Sequence, residues 1–359
     1  MEKRTQLVLL ILILIVAAVL RFSYLDWDGY NHYHPDERYI AWVGTSIEWP
    51  DSLQRAFSPN ESSFNPFYWP PDAASPGVGL EQDQPRRFAY GHLPLYLGVA
   101  FTRWLEAVEP TFSRLLPIEW KLTSDLLNHD GRNEFRHITA AGRALTALVD
   151  LGSVLLLFIL GRLTFSPVAG LLASAFLAIN VMHLQLARFF AVDPYLTFFV
   201  LLTLTFMVLS VRDRTSNRRR IILTLLSGIA LGLAVGSKFG GILLLIPLFM
   251  TILWQRQWRL GRRLLMFLLA GFVAFLVFAL TNPFAILDFS CQVDDTIQSG
   301  PIQIPGLLLR SCYLQNVALQ ATMVRGLRDV PFVRQYAGTT PYLYFVEMQL
   351  RWGMGLLLG

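Results

Sequence analysis

Long apolar runs alternate with short charged loops along most of this chain. A transmembrane helix needs about 20 apolar residues to cross about 30 Å of hydrocarbon, and several runs approach that length. The pattern predicts spans at 7–24, 138–161, 167–187, 194–210, 221–237, 240–254 and 264–282, with an eighth beginning near 341. The last residues, RWGMGLLLG, read as the opening turns of a helix. We therefore expect the chain to be the N-terminal part of a longer protein.

Arginines in the short loops indicate the orientation of these spans. Five lie in 211–220 and four in 255–263, and cytoplasmic loops of membrane proteins carry such an excess. With the N-terminus inside, alternation places both loops in the cytoplasm and puts 25–137 and 283–340 outside. The same distribution explains the net charge of +5 without a nucleic-acid-binding surface.

Composition supports a membrane protein. Charged residues make up 15% of the chain and the mean hydropathy is +0.46, whereas a soluble domain has about 25% charged residues. The predicted fold is an all-α polytopic membrane bundle. Its predicted parts are a first transmembrane helix at 1–24, an outer loop at 25–137, a six-helix region at 138–282, a second outer loop at 283–340 and the start of a further helix at 341–359.

The two outer segments have characteristic compositions. Residues 50–87 contain seven prolines and are predicted to form an irregular loop. Residues 92–108 are apolar but interrupted by Arg103 and Glu106, which is typical of an amphipathic helix that lies on the membrane. Cys291 and Cys312 both fall in the second outer segment, where an oxidising environment would allow them to pair. The sequence leaves open whether they do.

An adjacent carboxylate pair, Asp36 and Glu37, follows the first span by about a dozen residues. A solvated acidic loop is the ordinary interpretation, because residues 25–90 contain ten carboxylates. Other ionisable positions at the same outer boundary favour a functional site instead. These positions are Asp193, Lys238, Arg188 and Arg143.

Each of these positions also has a purely structural interpretation. Asp193 precedes Pro194 and suits the start of a helix. Lys238 is isolated between apolar stretches, from which its ammonium group could extend to the interface. Together, however, carboxylates can deprotonate an acceptor hydroxyl, and cations can stabilise the negative charge of a leaving phosphate.

Four stretches carry a resemblance to a known family: HPDERYIAWV, LPLYLGVAF, ARFFAVDPYLTFFVLL and GIALGLAVGSKFGGILLLIPL. They resemble the GT-C superfamily of membrane glycosyltransferases, in particular its protein O-mannosyltransferase and aminoarabinose-transferase branch. The resemblance implies a GT-C transmembrane bundle with amphipathic helices in the first outer loop. It also implies inverting transfer of a sugar from a polyprenyl phosphate to an acceptor hydroxyl on the extracytoplasmic face. The acceptor would be a protein or a glycolipid.

The same resemblance implies roles for individual residues. Asp36 is the candidate general base, and Glu37 is expected to orient the acceptor or the donor. Asp193 matches the second outer carboxylate of the family. Lys238 is expected to face the donor phosphate, as is Arg188 or Arg143.

Several alternatives remain open at this point. The usual double proline is replaced by HLPL at 92–95. His32 and His34, beside Asp36, leave a divalent metal open, although zinc spacing of the HExxH type is absent and no metal site is predicted. A transporter or flippase of lipid-linked precursors is the main alternative, but it should carry ionisable groups near the middle of its spans. A non-catalytic scaffold is a third possibility.

Overall fold

The computed structural model describes residues 2–69, 86–115, 134–212, 215–291, 298–299, 302–303, 310–324, 331–340 and 342–355. Its helices are α1 (Lys3–Phe22), α2 (Pro35–Thr45), α3 (Leu53–Ala56), α4 (His92–Leu115), α5 (Glu134–Thr164), α6 (Pro167–Ile179), α7 (Val181–Leu186), α8 (Asp193–Val211), α9 (Asn217–Ser237), α10 (Leu245–Leu253), α11 (Leu260–Thr281), α12 (Pro283–Leu287), α13 (Cys312–Val324), α14 (Pro331–Arg334) and α15 (Leu343–Met348). A 3-10 turn at Phe239–Leu244 and a π turn at Gln349–Gly353 extend two of them. The short strands β1 (Gln298–Ser299) and β2 (Ile302–Gln303) pair antiparallel.

Within the described ranges, five helices are long and apolar enough to cross a membrane: α1, α5, α8, α9 and α11. They correspond to five of the predicted spans. Helix α5 has 31 residues, which at 1.5 Å per residue amounts to about 46 Å. This exceeds the thickness of the hydrocarbon core.

Of the three other predicted spans, the eighth begins as α15 and the π turn and runs on beyond the described residues. The other two differ from simple helices. Residues 167–187 form α6 and α7, separated by a break at Asn180, whose side chain accepts the backbone N–H of His183 at 3.1 Å. Residues 240–254 begin as the 3-10 turn Phe239–Leu244 and continue as α10. Neither segment contains one uninterrupted helix of membrane length.

Helix α9 lies at the centre of the bundle. It packs between α8 and α11, and its Leu231 and Ala234 are buried together with Met207 of α8 and Ala270 and Ala274 of α11. The central position of α9 fixes its C-terminal end, where Lys238 follows Ser237. Lys238 therefore follows a helix that is packed on two sides.

An aromatic core joins the outer elements above the spans. Its buried members include Trp42 of α2, Phe67 and Phe88 of the outer loop, Phe190 before α8, Phe284 of α12 and Tyr313 of α13. Helix α4 starts inside this core and covers the segment predicted as an amphipathic helix. Its position on the membrane surface remains a prediction.

A disulfide links the second outer segment to itself. Cys291 and Cys312 are bonded, with 5.1 Å between their Cα atoms, which resolves the question that the sequence left open. Nearby, the buried Asp288 accepts a hydrogen bond at 2.8 Å from the Asn65 side chain in the first outer loop. The disulfide also fixes the start of α13, where Tyr313 packs edge-on against His92 with ring centroids 5.8 Å apart.

Candidate active site

Helix α2 presents the adjacent carboxylates Asp36 and Glu37. Its first turn is set by Pro35 and by His34, whose Nδ1 accepts the Glu37 backbone N–H at 3.3 Å. The His34 ring is stacked on Phe189, with centroids 4.2 Å apart. Successive helical residues point about 100° apart, so the two carboxylates face different surroundings. Glu37 is fully buried, and Asp36 is half-buried.

Glu37 is held by Arg143 of α5. Its two oxygens accept from the Nε and Nη2 of Arg143 at 2.7 and 2.6 Å, and Oε1 also accepts from the Phe190 backbone N–H at 2.8 Å. Arg143 further donates to both oxygens of Asp28 at 2.9 and 3.0 Å and to the Leu25 carbonyl. The five N–H groups of a guanidinium are thus all engaged, and none is left for a phosphate.

Asp28 completes this network and was not singled out from the sequence. Its oxygens accept the backbone N–H groups of Tyr30 and His32, each at 3.0 Å, around a turn in which Gly29, Tyr30 and His32 have φ of 59°, 61° and 56°. Burial alone would raise the pKa of Asp28, but the bonds and charge of Arg143, with backbone N–H groups, outweigh it and lower that pKa. The Asp-Gly pair at 28–29 was the available turn signal.

The two loop histidines are engaged in structural contacts. Thr139 donates its hydroxyl hydrogen to Phe135, so its oxygen accepts from Nε2 of the buried His32 at 2.8 Å. Burial lowers the pKa of His32 and keeps it neutral. Among the residues that the structure describes, no group of three or more His, Cys, Asp and Glu side chains is placed to hold a metal ion.

Asp193 and Lys238 meet where α8 begins and α9 ends. Asp193 lies in the first turn of α8, and Lys238 directly follows α9. The Nζ of Lys238 donates to Oδ1 of Asp193 at 2.7 Å, and both side chains remain partly exposed, at 47% and 38%. The pair is therefore accessible to a ligand.

Tyr90 connects this pair to Asp36. Its phenol lies within the electrostatic reach of both the Asp36 and the Asp193 carboxylates. Burial raises the pKa of Tyr90, and the two carboxylates raise it further. Asp36 and Asp193 thus lie near one phenol, and Lys238 is joined to them through its contact with Asp193.

Comparisons with known proteins identify the fold. Residues 121–289 match the family model described as dolichyl-phosphate-mannose-protein mannosyltransferase. The Saccharomyces cerevisiae protein O-mannosyltransferase Pmt1-Pmt2 complex bound to the sugar donor matches with a TM-score of 0.51 and 14% identity, over 80% of this chain and 34% of that chain. The chain has the GT-C fold. No match was found among the curated proteins.

A second GT-C structure, the Archaeoglobus fulgidus oligosaccharyltransferase in the apo form, matches with a TM-score of 0.50 and 17% identity, over 100% of this chain and 38% of that chain. The resemblance inferred from the sequence is therefore confirmed for the fold. The chain spans between about one third and two fifths of the length of these two structures.

Within this GT-C fold, the predicted phosphate ligands occupy different places. Lys238 lies in the cluster with Asp193. Arg143 anchors Glu37 and Asp28, so it holds α2 in position instead of facing a phosphate. Arg188 is turned towards α1, where its Nη2 donates to the Leu20 carbonyl at 2.9 Å. In the described part of the chain, the buried Nε of Arg188 has no hydrogen-bond partner.

A second buried ion pair was not singled out by the sequence analysis. Arg21 of α1 donates to Asp150 of α5 at 2.7 Å, and neither side chain is exposed. Its remaining N–H groups reach the carbonyls of Ala17, Leu177 and Ala178. Arg21 thereby satisfies the C-terminal carbonyls of α6 at the break before α7.

Proposed function

We propose that the chain carries the active site of a membrane glycosyltransferase that moves a sugar from a polyprenyl phosphate to an acceptor hydroxyl, with inversion, outside the cytoplasm. The observation that carries this proposal is the contact of Lys238 with Asp193 at 2.7 Å, beside Tyr90, whose pKa is raised by both Asp36 and Asp193. The matching family model is named for a dolichyl-phosphate-mannose donor. The similar Pmt1-Pmt2 complex is described as bound to its sugar donor.

The proposed reaction is a single displacement at the anomeric carbon of the sugar. The Asp36 carboxylate takes the proton of the acceptor hydroxyl while the acceptor oxygen forms a bond to that carbon. The bond from the carbon to the phosphate oxygen breaks on the opposite face, and its electron pair leaves with the polyprenyl phosphate. The proton ends on Asp36, and the new negative charge ends on the phosphate beside Lys238.

The energetics of the two ion pairs favour Lys238 as the group that faces the phosphate. Exposed ion pairs contribute only about 0.2–1 kcal/mol, so the half-exposed Lys238 can turn from Asp193 to a phosphate at little cost. Breaking a buried pair costs about 3–5 kcal/mol, which keeps Arg143 on Glu37 and Asp28. Asp193 then serves to hold the ammonium group at the outer end of α9.

Two observations support an extracytoplasmic site. The disulfide between Cys291 and Cys312 is of a kind that persists in oxidising compartments. It fixes α13, which contacts the same aromatic core as the carboxylate-bearing helix α2. The arginine-rich loops before and after α9 and α10 lie at the opposite ends of their helices, as the positive-inside rule requires.

The experiment that tests this proposal measures sugar transfer by the purified full-length protein. A panel of polyprenyl-phosphate sugars is offered with a hydroxyl-containing peptide and with a glycolipid as acceptors. Asp36→Asn should abolish transfer while the protein stays folded and inserted. Asp51→Asn, an exposed loop carboxylate outside the cluster, is the matched control and should retain activity. Full activity of Asp36→Asn would remove Asp36 from the role of base.

Transport of lipid-linked precursors is the second candidate function, and one observation favours it. The buried Arg21–Asp150 pair lies at a helix break, and transporters place ionisable groups at discontinuous helices. In the described part of the chain, however, the hydrogen bonds of Arg21 all end on protein atoms: the Asp150 carboxylate, the Ala17 carbonyl, and the Leu177 and Ala178 carbonyls beside the break. Flipping of a labelled polyprenyl-phosphate sugar in liposomes without acceptor, at a rate unaffected by Asp36→Asn, would support transport over transfer.

A further inference from the structure

A groove of about 640 Å³ lies between the segment that follows α2 and the C-terminal part of α11. Its described lining comes from residues 49–64 on one side and from 276–287 on the other, and it is apolar except for Asp51 and Ser52. Ligand pockets in proteins have volumes of about 300–1,000 Å³. The groove is therefore an apolar cavity of ligand size at the end of a candidate membrane span.

The two walls of the groove are held by contacts behind them. Phe64 stacks on Tyr96 of α4, with ring centroids 4.1 Å apart and an angle of 9° between the rings. The next residue, Asn65, donates from its side chain to Asp288 at 2.8 Å, directly after the wall formed by α12. The position of residues 49–64 relative to α11 and α12 is thus fixed by packing and by a buried hydrogen bond.

The groove lies on the face of α11 that points away from α9. Ala274 and Phe278 belong to the apolar cluster in which α11 packs on α9. Successive helical residues are about 100° apart, so Leu276 and Leu280 lie about 160° and 120° from Ala274 around the helix axis. Lys238 directly follows α9. The groove is therefore separated from Lys238 by the body of α11.

The face of α11 that lines the groove is continuous with a surface suited to lipid. Leu268, Phe272 and Phe275 extend this face towards the start of the helix, and all three are exposed. Helix α11 is long and apolar enough to cross a membrane, in which such side chains contact hydrocarbon. Trp49, on the opposite wall, is exposed as well, and tryptophan is enriched where a membrane meets water. The molecules nearest to the groove are therefore the chains of the bilayer.

We propose that the groove binds an acyl chain of a bilayer phospholipid without net charge, and that the bound chain ties residues 49–64 to α11. Two observations favour this occupant over the polyprenyl chain of the sugar donor. The groove lies on the far side of α11 from Lys238, the group proposed to face the donor phosphate. Its described lining contains no cation, and its one charged side chain there is the carboxylate of Asp51, which repels an anionic lipid.

A photoreactive phosphatidylethanolamine, with a diazirine in one acyl chain, tests the site in vesicles that contain the full-length protein. After irradiation, label should concentrate in residues 49–64 and 276–287, above the level on the exposed apolar surface of α1. Ala279→Trp places an indole ring in the groove and should reduce labelling there to the level of α1. Leu268→Trp is the matched control, because it adds the same ring to the exposed face of α11 outside the groove. That variant should be labelled like the wild type.

Thermal unfolding provides a measurement that does not depend on labelling. A ligand that binds only the folded protein stabilises it, so phosphatidylethanolamine added to delipidated protein in detergent should raise the Tm of the wild type and of Leu268→Trp. The rise should be no more than about half as large in Ala279→Trp, in which the indole ring occupies the groove. If Ala279→Trp fails to fold, the distribution of label along the wild-type chain decides.

Three results would overturn the inference. The first is labelling of the groove that does not exceed that of α1 or that persists in Ala279→Trp. The second is stronger competition for the groove by polyprenyl phosphate or phosphatidylglycerol than by unlabelled phosphatidylethanolamine, because the groove would then select an anionic lipid. The third is cross-linking between two copies of the protein at these residues without lipid label. None of these measurements requires sugar transfer, so failure of the proposed function would leave this inference standing.

Discussion

Glu37→Gln should mainly lower the free energy of unfolding, whereas Lys238→Met should mainly lower the rate of catalysis. Glu37 accepts three hydrogen bonds, two from Arg143 and one from the Phe190 N–H. A glutamine at 37 would turn an NH₂ group towards a donor of Arg143 and would leave the guanidinium with one carboxylate partner. Removing one member of a buried pair costs about 3–5 kcal/mol, and we expect a loss of that size in the free energy of unfolding.

Lys238→Met keeps the aliphatic stem of the side chain and removes only the charge. Because the pair with Asp193 is exposed at 47% and 38%, its loss should change stability by less than about 1 kcal/mol. Catalysis should suffer far more. Removing a group that stabilises developing negative charge typically lowers kcat by about 100-fold or more.

The assay combines unfolding and turnover on the same purified variants. The free energy of unfolding is measured by SDS titration in mixed micelles, and transfer is measured on the fraction that remains folded. Asp51→Asn serves as the control for loss of an exposed carboxylate. If Lys238→Met unfolds as readily as Glu37→Gln, or if Glu37→Gln is as stable as the wild type but inactive, then the division between anchoring and catalytic charges is incorrect.

Two further predictions concern the aromatic core and the second outer segment. His92 is fully buried, neither of its ring nitrogens has a hydrogen-bond partner among the described residues, and burial lowers its pKa to about 3 from 6.5. Between those two pH values the unfolded chain binds a proton at His92 and the folded chain does not. The free energy of unfolding therefore falls as the pH drops below 6.5, by about 2 kcal/mol at pH 5. His92→Phe should abolish this part of the pH dependence in unfolding titrations, and an unchanged dependence would contradict the prediction. Replacing both Cys291 and Cys312 by serine should lower the free energy of unfolding by about 3 kcal/mol, since the bond closes a loop of 21 residues. Reductant should destabilise the wild type and leave the stability of this variant unchanged, whereas equal sensitivity of both to reductant would refute the role of this bond.

The spans could be predicted because crossing a membrane depends on local sequence. A run such as 264–282 is apolar whatever surrounds it, and it forms α11. The break at Asn180 could not be predicted in the same way. It depends on Arg21, more than 150 residues earlier, which satisfies the carbonyls of Leu177 and Ala178.

The sequence predicted the site only as far as the membrane topology indicates which helix ends lie on the same side. Asp193 and Lys238 were both expected at outer helix ends, and the structure brings them into contact. The engagement of Arg143 was hidden because it depends on Asp28 and Glu37, which reach it only in the folded chain. Tyr90 was missed because it has no charge at neutral pH, and because the neighbouring Gly91 N–H meets the Ser237 carbonyl at the end of α9 only in the folded chain.

Two adjacent carboxylates take different roles because they lie at the start of one helix. The cap formed by His34 and Pro35 fixes the rotation of α2, and Glu37 locks that rotation through Arg143. Asp36, about 100° further round, is then held at a defined distance from the outer ends of α8 and α9. Burying both carboxylates would require a second cation, and exposing both would leave α2 free to rotate. Glu37, the buried member of the pair, therefore fixes the position from which the more accessible Asp36 can act.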